Sequence, residues 1–381
     1  MADTVTWELL RSLAEFRPGR GCTLSIYFRL DPREVPTQRE ILSRATSLLD
    51  EAHRKGESMG AALSHDEQAA LRADLGRVRT WFETEFDRSG VRGAAVFAAG
   101  LDNVFRPLLL SEVVPDRVCI GRSFALTPLV PLVGRADGAI VVAVGRERGS
   151  LYRVRSGQLL ELADLTEEEP LRRTDQGGWS QANYQRHVDE HAREHLKDVA
   201  EALATQVRRR RPADVVVVGA DETRSRFIEL LAPETRGAVV GGTHAEAHAG
   251  PAELYDGSAP LLREARMLRE REQLARWREE SATEGRATAG WEETLEAASD
   301  ARVELLLLRE GARREGYQCP SCGRAAASDG ACPLDGSRME RTPDGTDVAV
   351  HQVLTHGGSV LMVEASPDLD PVGGIGALLR F

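Results

Sequence analysis

The feature that most constrains the fold of this chain is a set of short apolar runs that alternate with amphipathic helical patterns. Four of these runs are "GAIVVAVG", "DVVVVG", "RVELLLL" and "SVLMVE". Apolar runs of about four to eight residues between turn signals are typical of strands that are buried on both faces. Because a sheet of such strands needs helices on each side, the pattern predicts layered α/β domains.

The chain is longer than one ordinary core allows, since single cores stop growing at about 250–300 residues. Its 381 residues and the order of its patterns predict three consecutive α/β domains, at residues 1–126, 127–284 and 285–381. The elements predicted for the first domain are a strand in "CTLSIYF", amphipathic helices in "REILSRATSLLDEAHR" and "DEQAALRADLGRVRTWFETEF", and a buried strand in "GVRGAAVFAAG".

A long helix is the main element predicted for the middle domain. Apolar residues recur every three or four positions from Gln181 to Arg210. Two strands joined at Ser156-Gly157 precede this helix and the "DVVVVG" strand follows it, so we expect a mixed sheet. A second, charged helix from about Pro260 to Ser281 leads out of the domain.

The last domain is predicted to be a compact α/β domain with an insertion. Helices are expected in "WEETLEAASD" and "DVAVHQVLTHGG", next to the strands "RVELLLL" and "SVLMVE", and "GGIGALLRF" is the terminal strand. A cysteine-containing stretch at residues 317–341 interrupts this pattern and is predicted to be a zinc-ribbon-like knuckle.

Charge and composition exclude several classes of protein. The net charge of −11 does not fit a chain that binds nucleic acid with its whole surface, so any RNA contact would use local basic patches. No apolar run reaches the roughly 18 residues of a membrane span. The N-terminal "MADTVTWELLRSLAEF" has no basic region or cleavage site of a signal peptide. We therefore expect a cytoplasmic protein that does not interact with membranes.

Three cysteines within fourteen positions, Cys319, Cys322 and Cys332, are the clearest candidate metal ligands. The Cys-x-x-Cys-Gly frame is half of a zinc ribbon, in which a tight turn lets two thiolates grip one ion. The second half, "CPLDG", repeats the frame with Asp335 where a fourth cysteine would stand. Because a carboxylate can ligate zinc, the pattern predicts a structural site of three cysteines and one aspartate. The alternative is a degenerate ribbon without metal.

His187, His191 and His195 recur every four residues in the long helix and therefore share one face. The string from His191 to His195 also matches the inverted zinc-protease pattern H-x-x-E-H. This pattern is short, and the face opposite an apolar stripe is polar in any surface helix. We interpret the histidines as part of a polar helix face, with a metal-dependent hydrolase as the alternative.

Gly177 and Gly178 lie just before the long helix, in "QGGWSQ". Glycines at a helix N-terminus leave backbone N–H groups open to an anion and allow its close approach. The P-loop and dinucleotide-binding patterns are missing, so nucleotide binding is not indicated. On these residues alone, the alternative is a surface loop whose Trp179 folds back onto the protein.

The order of these motifs resembles the archaeal and eukaryotic peptide-chain release factors, their relative Pelota and bacterial members of that superfamily. The middle domain of that family has a Gly-Gly-Gln loop followed at once by a long helix, as in "QGGWSQANYQRHVDEHAREHLKDVAEAL". Its C-terminal domain ends in a sequence similar to "GGIGALLRF", and archaeal members insert a zinc ribbon where Cys319 lies. The resemblance is collinear from about Pro128 onward and loose over the first 126 residues.

The resemblance implies a factor that binds the ribosomal A site and contacts rRNA. Its first domain would face the decoding site, its middle domain the peptidyl-transferase centre, and its third domain a translational GTPase or another partner. The loop would let water attack the ester of peptidyl-tRNA, with a backbone N–H at the developing oxyanion. The residues that the resemblance places there are Gly177, Gly178, Trp179 and Gln181.

Two departures from the family's pattern bear on function. Trp179 occupies the glutamine position, and the nearest glutamine is Gln181. Hydrolysis through the backbone N–H after Gly178 would survive this change, whereas hydrolysis that needs a slim amide would not. The first domain also lacks the Asn-Ile-Lys-Ser stop-codon motif. We therefore expect a role in ribosome rescue, hibernation or quality control, either as a peptide-releasing factor or as a non-catalytic ribosome-protecting factor.

Overall fold

The computed structural model describes residues 3, 5–59, 63–133, 138–155, 157–165, 181–209, 214–245, 249–283, 285–364 and 367–381, and for 181–189 the backbone only. The chain divides into two compact units, one built from residues 1–133 together with 270–381 and the other from residues 134–269. The first unit contains both the first and the third expected domain, each with its own sheet. The α/β class is confirmed, while the boundaries at 126 and 284 stay a prediction.

The N-terminal part of the first unit is a four-stranded antiparallel sheet with helices. Its helices are α1 (Trp7–Glu15), α2 (Gln38–Ser58) and α3 (His65–Thr84), and its strands are β1 (Thr23–Arg29), β2 (Gly93–Ala99), β3 (Val104–Leu110) and β4 (Arg117–Gly121). The strand order is β3-β2-β1-β4. Both α2 and α3 begin with a capping box, which satisfies free N–H groups of the first helical turn.

Both faces of this sheet are covered. Side chains such as Ile26 and Phe28 face a core formed with α2 and α3. Tyr27 and Phe97 point to the other face, where they join a core that also contains residues of the C-terminal segment. Successive residues of a strand point to opposite faces, so β1 contributes to both cores. The strands β3 and β4 were not predicted, because their partly exposed residues give no clear apolar run.

The second unit is a five-stranded mixed sheet. Its elements are β5 (Ile140–Val144), β6 (Gly149–Arg155), β7 (Gln158–Asp164), α4 (Gln181–Arg209), β8 (Val215–Val218), α5 (Asp221–Leu230), α6 (Pro233–Gly237), β9 (Val239–Thr243) and α7 (Pro251–Ala282), the last of which continues beyond the unit. The order is β7-β6-β5-β8-β9. The pairs β5–β8 and β8–β9 are parallel, and the other two are antiparallel. The predicted mixed sheet and long helix are therefore confirmed.

Helices cover both faces of the middle sheet. Leu196, Val199 and Leu203 of α4 belong to the core on one face, and Leu254 and Leu262 of α7 belong to the core on the other. The structure corrects the predicted start of α7, which begins at Pro251. The sequence suggested Pro260 because proline favours the first turn of a helix. The burial of Leu254 against the sheet explains why the helix extends further toward the N-terminus.

The C-terminal part of the first unit has a mixed sheet of its own. Its elements are β10 (Ala287–Ala289), α8 (Trp291–Ser299), β11 (Val303–Arg309), α9 (Gly345–Thr355), β15 (Ser359–Val363) and β16 (Ile375–Leu379), and a small sheet is inserted between β11 and α9 with β12 (Gly316–Gln318), β13 (Ala325–Ala326) and β14 (Glu340–Thr342). The strand orders are β10-β16-β11-β15 and β13-β12-β14.

One face of the C-terminal sheet packs against α8 and α9 in the core shared with β1 and β2. The other face holds Leu274 and Trp277, from the last turns of α7. Trp277 donates from its indole N–H to the Thr288 carbonyl at 2.9 Å. A Cβ at Gly376 would lie 2.7 Å from the indole nitrogen, so only glycine lets the strand pass this ring. Among the described residues, no helix is both long and apolar enough to cross a membrane.

Candidate functional site

The predicted peptide-release loop falls mostly outside the described structure. Gly177, Gly178 and Trp179 are not among the described residues. Gln181 is the first residue of α4, with its backbone described and its side chain not. Their assignment as site residues therefore stays a prediction. What the structure provides is the support behind the loop, because α4 is anchored by buried apolar residues from Leu196 to Val207.

The structure corrects the interpretation of one histidine. His195 is only 3% exposed and therefore does not belong to a polar surface. Its imidazole and the side chain of Val199 both lie beside Gly149 of β6, where a Cβ would come within 2.3 Å of Val199 Cγ2 and 3.3 Å of His195 Nε2, so the glycine lets α4 pack closely on this strand. His191 is half-buried, and the side chain of His187 lies outside the described residues. In the part of the chain that the structure describes, neither His191 nor His195 belongs to a group that could hold a metal ion.

The three cysteines and the aspartate predicted as metal ligands do come together. One ligand atom from each of Cys319, Cys322, Cys332 and Asp335 lies within 4.8 Å of all the others. The Cys322 and Cys332 sulfurs are 3.5 Å apart. The Cys319 sulfur lies 3.4 and 3.6 Å from the two carboxylate oxygens of Asp335. We call these four residues the cysteine cluster.

Two turns with the same backbone hydrogen bonds carry the cysteine cluster. The first turn is Cys319–Gly323 and the second is Cys332–Gly336. In each, the N–H of the leading cysteine donates to the carbonyl five residues further on, at 2.8 Å. The N–H of the closing glycine donates back to the carbonyl of that cysteine, at 3.0 Å in the first turn and 2.9 Å in the second. Both glycines have a positive φ, of 77° and 73°, which explains why each frame ends in glycine.

The electrostatics of the cysteine cluster favour a cation. The backbone N–H of Cys322 donates to the Cys319 sulfur and lowers the pKa of that thiol. The Ser337 N–H lowers the pKa of Asp335 in the same way. The Arg324 N–H lowers the pKa of Cys322, but desolvation and the neighbouring sulfurs together raise it to about 11. The four ligands are thus held too close to ionise together without a positive charge between them.

The spacing of the ligand atoms fits a tetrahedral zinc ion. Zinc binds thiolate sulfur at about 2.3 Å and carboxylate oxygen at about 2.0–2.2 Å, which places neighbouring ligand atoms about 3.5–3.8 Å apart. The distances of 3.4–3.6 Å between these atoms are close to that value. The donor set also suits zinc, because soft thiolates select it over magnesium and calcium. Among the residues that the structure describes, the cluster contains no further His, Cys, Asp or Glu.

The two turns differ in how they are fixed to the rest of the protein. The first turn is anchored to two helices. Gln352 of α9 donates to the Gly323 carbonyl at 2.5 Å. Arg324, which follows the turn, donates to Asp300 at the end of α8, also at 2.5 Å.

The second turn has no such anchor among the hydrogen bonds of the described residues. Its partners stay within the knuckle, and Ser337 contacts Ser321 at 3.0 Å. Leu334 at its tip is 69% exposed. The buried apolar cluster around the ligands consists of Cys319, Cys332 and Met339. The second turn therefore depends on its ligand residues for its position.

A second polar cluster, which is centred on α9, was not predicted. One oxygen of Asp347 accepts hydrogen bonds from the N–H of Leu126 (2.7 Å) and from the N–H (2.9 Å) and hydroxyl (2.8 Å) of Thr127. His351, one turn later, contacts the Phe124 carbonyl through Nε2 at 2.6 Å. These contacts join residues more than 200 positions apart in the sequence. We call them the α9 junction.

Burial determines the charge state at the α9 junction. His351 is 1% exposed, and burial lowers its pKa, although the Asp347 carboxylate opposes that effect and Arg17 adds to it. The imidazole is therefore neutral near pH 7, and Nε2 carries the proton that is donated to Phe124. Beside the junction, Arg117 of β4 forms an ion pair with Asp344, the N-cap residue of α9.

The sequence contained a signal for the α9 junction. "DVAVHQVLTHGG" was predicted to be a helix, and every residue of α9 from Gly345 to Leu354 is buried. Asp347, His351 and Gln352 are the polar residues with large side chains in that stretch. Polar groups on a fully buried helix need hydrogen-bond partners, so they mark contacts to other segments.

Comparison with known proteins identifies relatives of this chain among the peptide chain release factors. Residues 125–261 match the model of the "Bacterial archaeo-eukaryotic release factor family 10". Peptide chain release factor subunit 1 of Methanocaldococcus jannaschii is 25% identical over 325 residues, which cover 80% of this chain and 73% of that protein. The protein of the same name from Archaeoglobus fulgidus is 22% identical over 342 residues, or 85% and 81% of the two chains. The chain is therefore similar to archaeal release factors along most of its length. The resemblance found in the sequence is confirmed.

The solved structures that are similar to this chain include three translation factors. The archaeal translation termination factor aRF1 is 15% identical, with 99% of each chain covered and a TM-score of 0.27. Archaeal Pelota, from a model of ribosome-bound Pelota and ABCE1, is 16% identical, with 76% and 77% covered and a TM-score of 0.45. Dom34 of S. cerevisiae, a translation termination-like factor involved in RNA quality control and interacting with Hbs1, is 13% identical, with 78% of each chain covered and a TM-score of 0.40.

The segment that matches the family model includes one candidate site and excludes the other. Residues 125–261 include the Gly-Gly loop, α4 and the whole middle sheet. The cysteine cluster lies beyond that segment, in the knuckle between β11 and α9.

Proposed function

We propose that this protein is a translation factor that binds the A site of stalled or idle ribosomes, in rescue or hibernation. The observation that carries the proposal is its similarity to archaeal peptide chain release factor subunit 1 along 325 residues. A similarity that extends over most of both chains favours a common mode of action over a shared domain alone. The absence of the Asn-Ile-Lys-Ser motif from the first 126 residues argues against stop-codon-specific termination.

Within this proposal, the loop before α4 promotes release of the peptide from peptidyl-tRNA. Gly177 and Gly178 let the backbone place an N–H at the oxyanion that develops on the ester carbonyl. Gln181, at the first position of α4, is near enough in sequence to assist in orienting water. The rigid α4, held by its buried apolar residues, would keep the loop at a fixed distance from the middle sheet.

A specific observation favours a second candidate, a ribosome-protecting factor without hydrolysis. Trp179 stands where the superfamily carries a slim glutamine. An indole has one donor and no acceptor, so it cannot both donate to and accept from a water molecule as an amide can. In this alternative, the loop occupies the peptidyl-transferase centre and excludes other factors.

Binding to ribosomes is the first test. The purified chain is mixed with translating, stalled and idle ribosomes and pelleted through sucrose at about 0.1 M salt, where screening still permits contacts with rRNA. We expect co-sedimentation with stalled or idle ribosomes and less with translating ones. Absence from all three pellets would overturn the proposal. Addition of a translational GTPase to the same assay tests whether such a partner delivers the protein.

Peptide release separates the two candidates. On purified stalled complexes, Gly178→Ala should lower the release rate about 100-fold, the effect of losing one oxyanion donor. Trp179→Gln should raise it, and Gln181→Ala tests the role of that amide. Glu190→Ala is the matched control, since Glu190 is exposed on the same helix. Ribosome binding without any release by the wild type or by Trp179→Gln would favour the protecting factor.

We also propose that the cysteine cluster holds a structural zinc ion. The four ligands fill a tetrahedron, which leaves no position for substrate. Metal analysis of the purified protein should give one zinc per chain, and Cys319→Ser should lower it. His191→Ala is the control: its metal content should equal that of the wild type. Loss of metal in the histidine variant, and not in the cysteine variant, would favour the metal-dependent hydrolase instead.

A further inference from the structure

The three sulfurs of the cysteine cluster are not equivalent. Cys319 and Cys332 are each 2% exposed, whereas Cys322 is exposed to solvent. The exposed sulfur lies 3.5 Å from Cys332. The Cys319 sulfur has the Asp335 carboxylate beside it, at 3.4 Å. The sulfur of the exposed Cys322 thus lies next to the sulfur of the buried Cys332, whereas the Cys319 sulfur lies next to the Asp335 carboxylate.

We propose that Cys322 and Cys332 form a hydroperoxide-reactive thiol pair whose oxidation to a disulfide expels the metal ion from the cluster. The disulfide chemistry is independent of the proposed role on the ribosome. The expulsion of metal rests on the proposed zinc site.

The reaction proceeds in two steps. The Cys322 sulfur attacks a hydroperoxide, so that an S–O bond forms, the O–O bond breaks, and an alcohol or water leaves with a proton. The Cys332 sulfur then attacks the sulfenic acid, an S–S bond forms, and water leaves. Two thiols and one hydroperoxide thus give one disulfide, one alcohol or water, and one further water. The two electrons come from the two sulfurs.

The structure lets the two sulfurs close this distance. A disulfide requires about 2.05 Å, and the sulfurs start at 3.5 Å. Cys322 is on the first turn, which Gln352 and the Arg324–Asp300 contact fix to the helices. Cys332 is on the second turn, whose described hydrogen bonds stay within the knuckle. The second turn can therefore shift toward the first without breaking an anchor.

Asp335, in place of a fourth cysteine, limits the cluster to one disulfide per chain. A carboxylate is not oxidised by hydroperoxide, so three cysteines can form only one disulfide and leave one thiol. After oxidation, Cys319 and Asp335 remain as two ligands, fewer than the three or four protein ligands of known zinc sites. The disulfide would then replace the ion as the link between the turns. A dithiol reductant and zinc would restore the starting state.

The test uses the full-length, metal-loaded protein and hydrogen peroxide. We expect one metal ion released per disulfide, measured with a chromogenic chelator, and a Cys322–Cys332 disulfide in non-reducing peptide mapping, with Cys319 recovered as a thiol. Cys322→Ser should slow metal release by peroxide at least about tenfold, because it removes the exposed sulfur of the cluster. Cys22→Ser is the matched control: Cys22 is a free cysteine that does not belong to the cluster, so its loss should change nothing.

The possible failures are distinguishable. A disulfide that joins Cys319 to either partner, or sulfinic and sulfonic acids at Cys322 without a disulfide, would overturn the thiol pair. Because peptide mapping of the wild type decides between these products, the result does not depend on the folding of a variant. A Cys322–Cys332 disulfide in a protein that carries no metal would support the pair and overturn the zinc site. Failure to bind ribosomes would affect neither result.

Discussion

Helix α9 carries Asp347 and His351 of the α9 junction, and its Gln352 also contacts the first turn of the cysteine cluster. The two clusters differ in how the charge of their polar groups is balanced. At the α9 junction, the carboxylate of Asp347 receives three hydrogen bonds from the chain itself, so its charge is balanced within the protein. In the cysteine cluster, three cysteines and a carboxylate lie together, and we propose that a cation balances their charge once they ionise. The comparison predicts that the junction is stable without added ligand, whereas the knuckle, in particular its second turn, is not.

Removal of the metal should have the largest effect. Structural zinc contributes about 10–16 kcal/mol to the folded state of small metal domains. With a strong chelator, we expect amide hydrogen exchange at Cys332 and Gly336 to rise more than about 100-fold, while Leu126 and Thr127 remain protected. If the second turn stayed protected without metal, the contrast between the clusters would be wrong.

Loss of the junction carboxylate should have the next largest effect. Asp347→Ala leaves a buried N–H, a half-buried N–H and a hydroxyl without their acceptor, which should lower the free energy of unfolding by about 3 kcal/mol. Asp347→Asn keeps one acceptor oxygen and should cost about half as much. Urea unfolding followed by tryptophan fluorescence reports this in a Trp179→Phe background, because the other four tryptophans lie in the first unit. An unchanged midpoint in Asp347→Ala would show that the junction does not stabilise the protein.

Acid should weaken the junction through His351. Because burial lowers its pKa in the folded state, the unfolded chain binds more protons, and stability falls as the pH drops below about 6.5. Between pH 7 and pH 5 the loss is at most about 2 kcal/mol. His351→Gln removes the titrating group and should flatten this dependence. Carboxyl groups whose pKa is lowered, such as Asp31 and Glu67, act at more acidic pH and do not interfere.

The smallest effect should come from Gln352, whose amide lies next to the junction in sequence and contacts the knuckle. Gln352→Ala removes one hydrogen bond to the Gly323 carbonyl, while Gln318 still donates to it at 3.1 Å. We expect a loss of about 1 kcal/mol and unchanged zinc content. The same unfolding assay and metal analysis measure both. Loss of zinc in this variant would mean that the anchor of the first turn, and not the ligands alone, holds the metal.

The sequence predicted features that depend on local patterns. Apolar runs located the buried strands β5, β8, β11 and β15, and helical spacing located α2, α3 and α4. The two Cys-Pro-x-x-Gly frames and Asp335 predicted four candidate metal ligands, and these residues lie together in the structure. In these cases the information lies within a few residues of the chain.

Features that depend on distant partners were missed or wrong. His195 belongs to the polar positions of α4 by spacing alone, yet it is buried where α4 packs against Gly149 of β6, next to Val199. Asp347 and His351 could be recognised as polar residues of a helix, but their partners at Leu126 and Phe124 lie in another segment. Periodicity within a single helix cannot indicate which other segment it will contact.

The first unit contains both the N-terminal and the C-terminal segment of the chain, which affects how it folds during synthesis. Tyr27 and Phe97 leave the ribosome early, yet the core that covers them includes residues near Val350. Leu126 and its partner Asp347 are 221 positions apart. At about 5–20 residues per second, one apolar face of the first sheet waits roughly 10–45 s for its cover. During that interval the nascent chain exposes an apolar surface. The yield of folded protein in cells should therefore depend on chaperones that bind such surfaces.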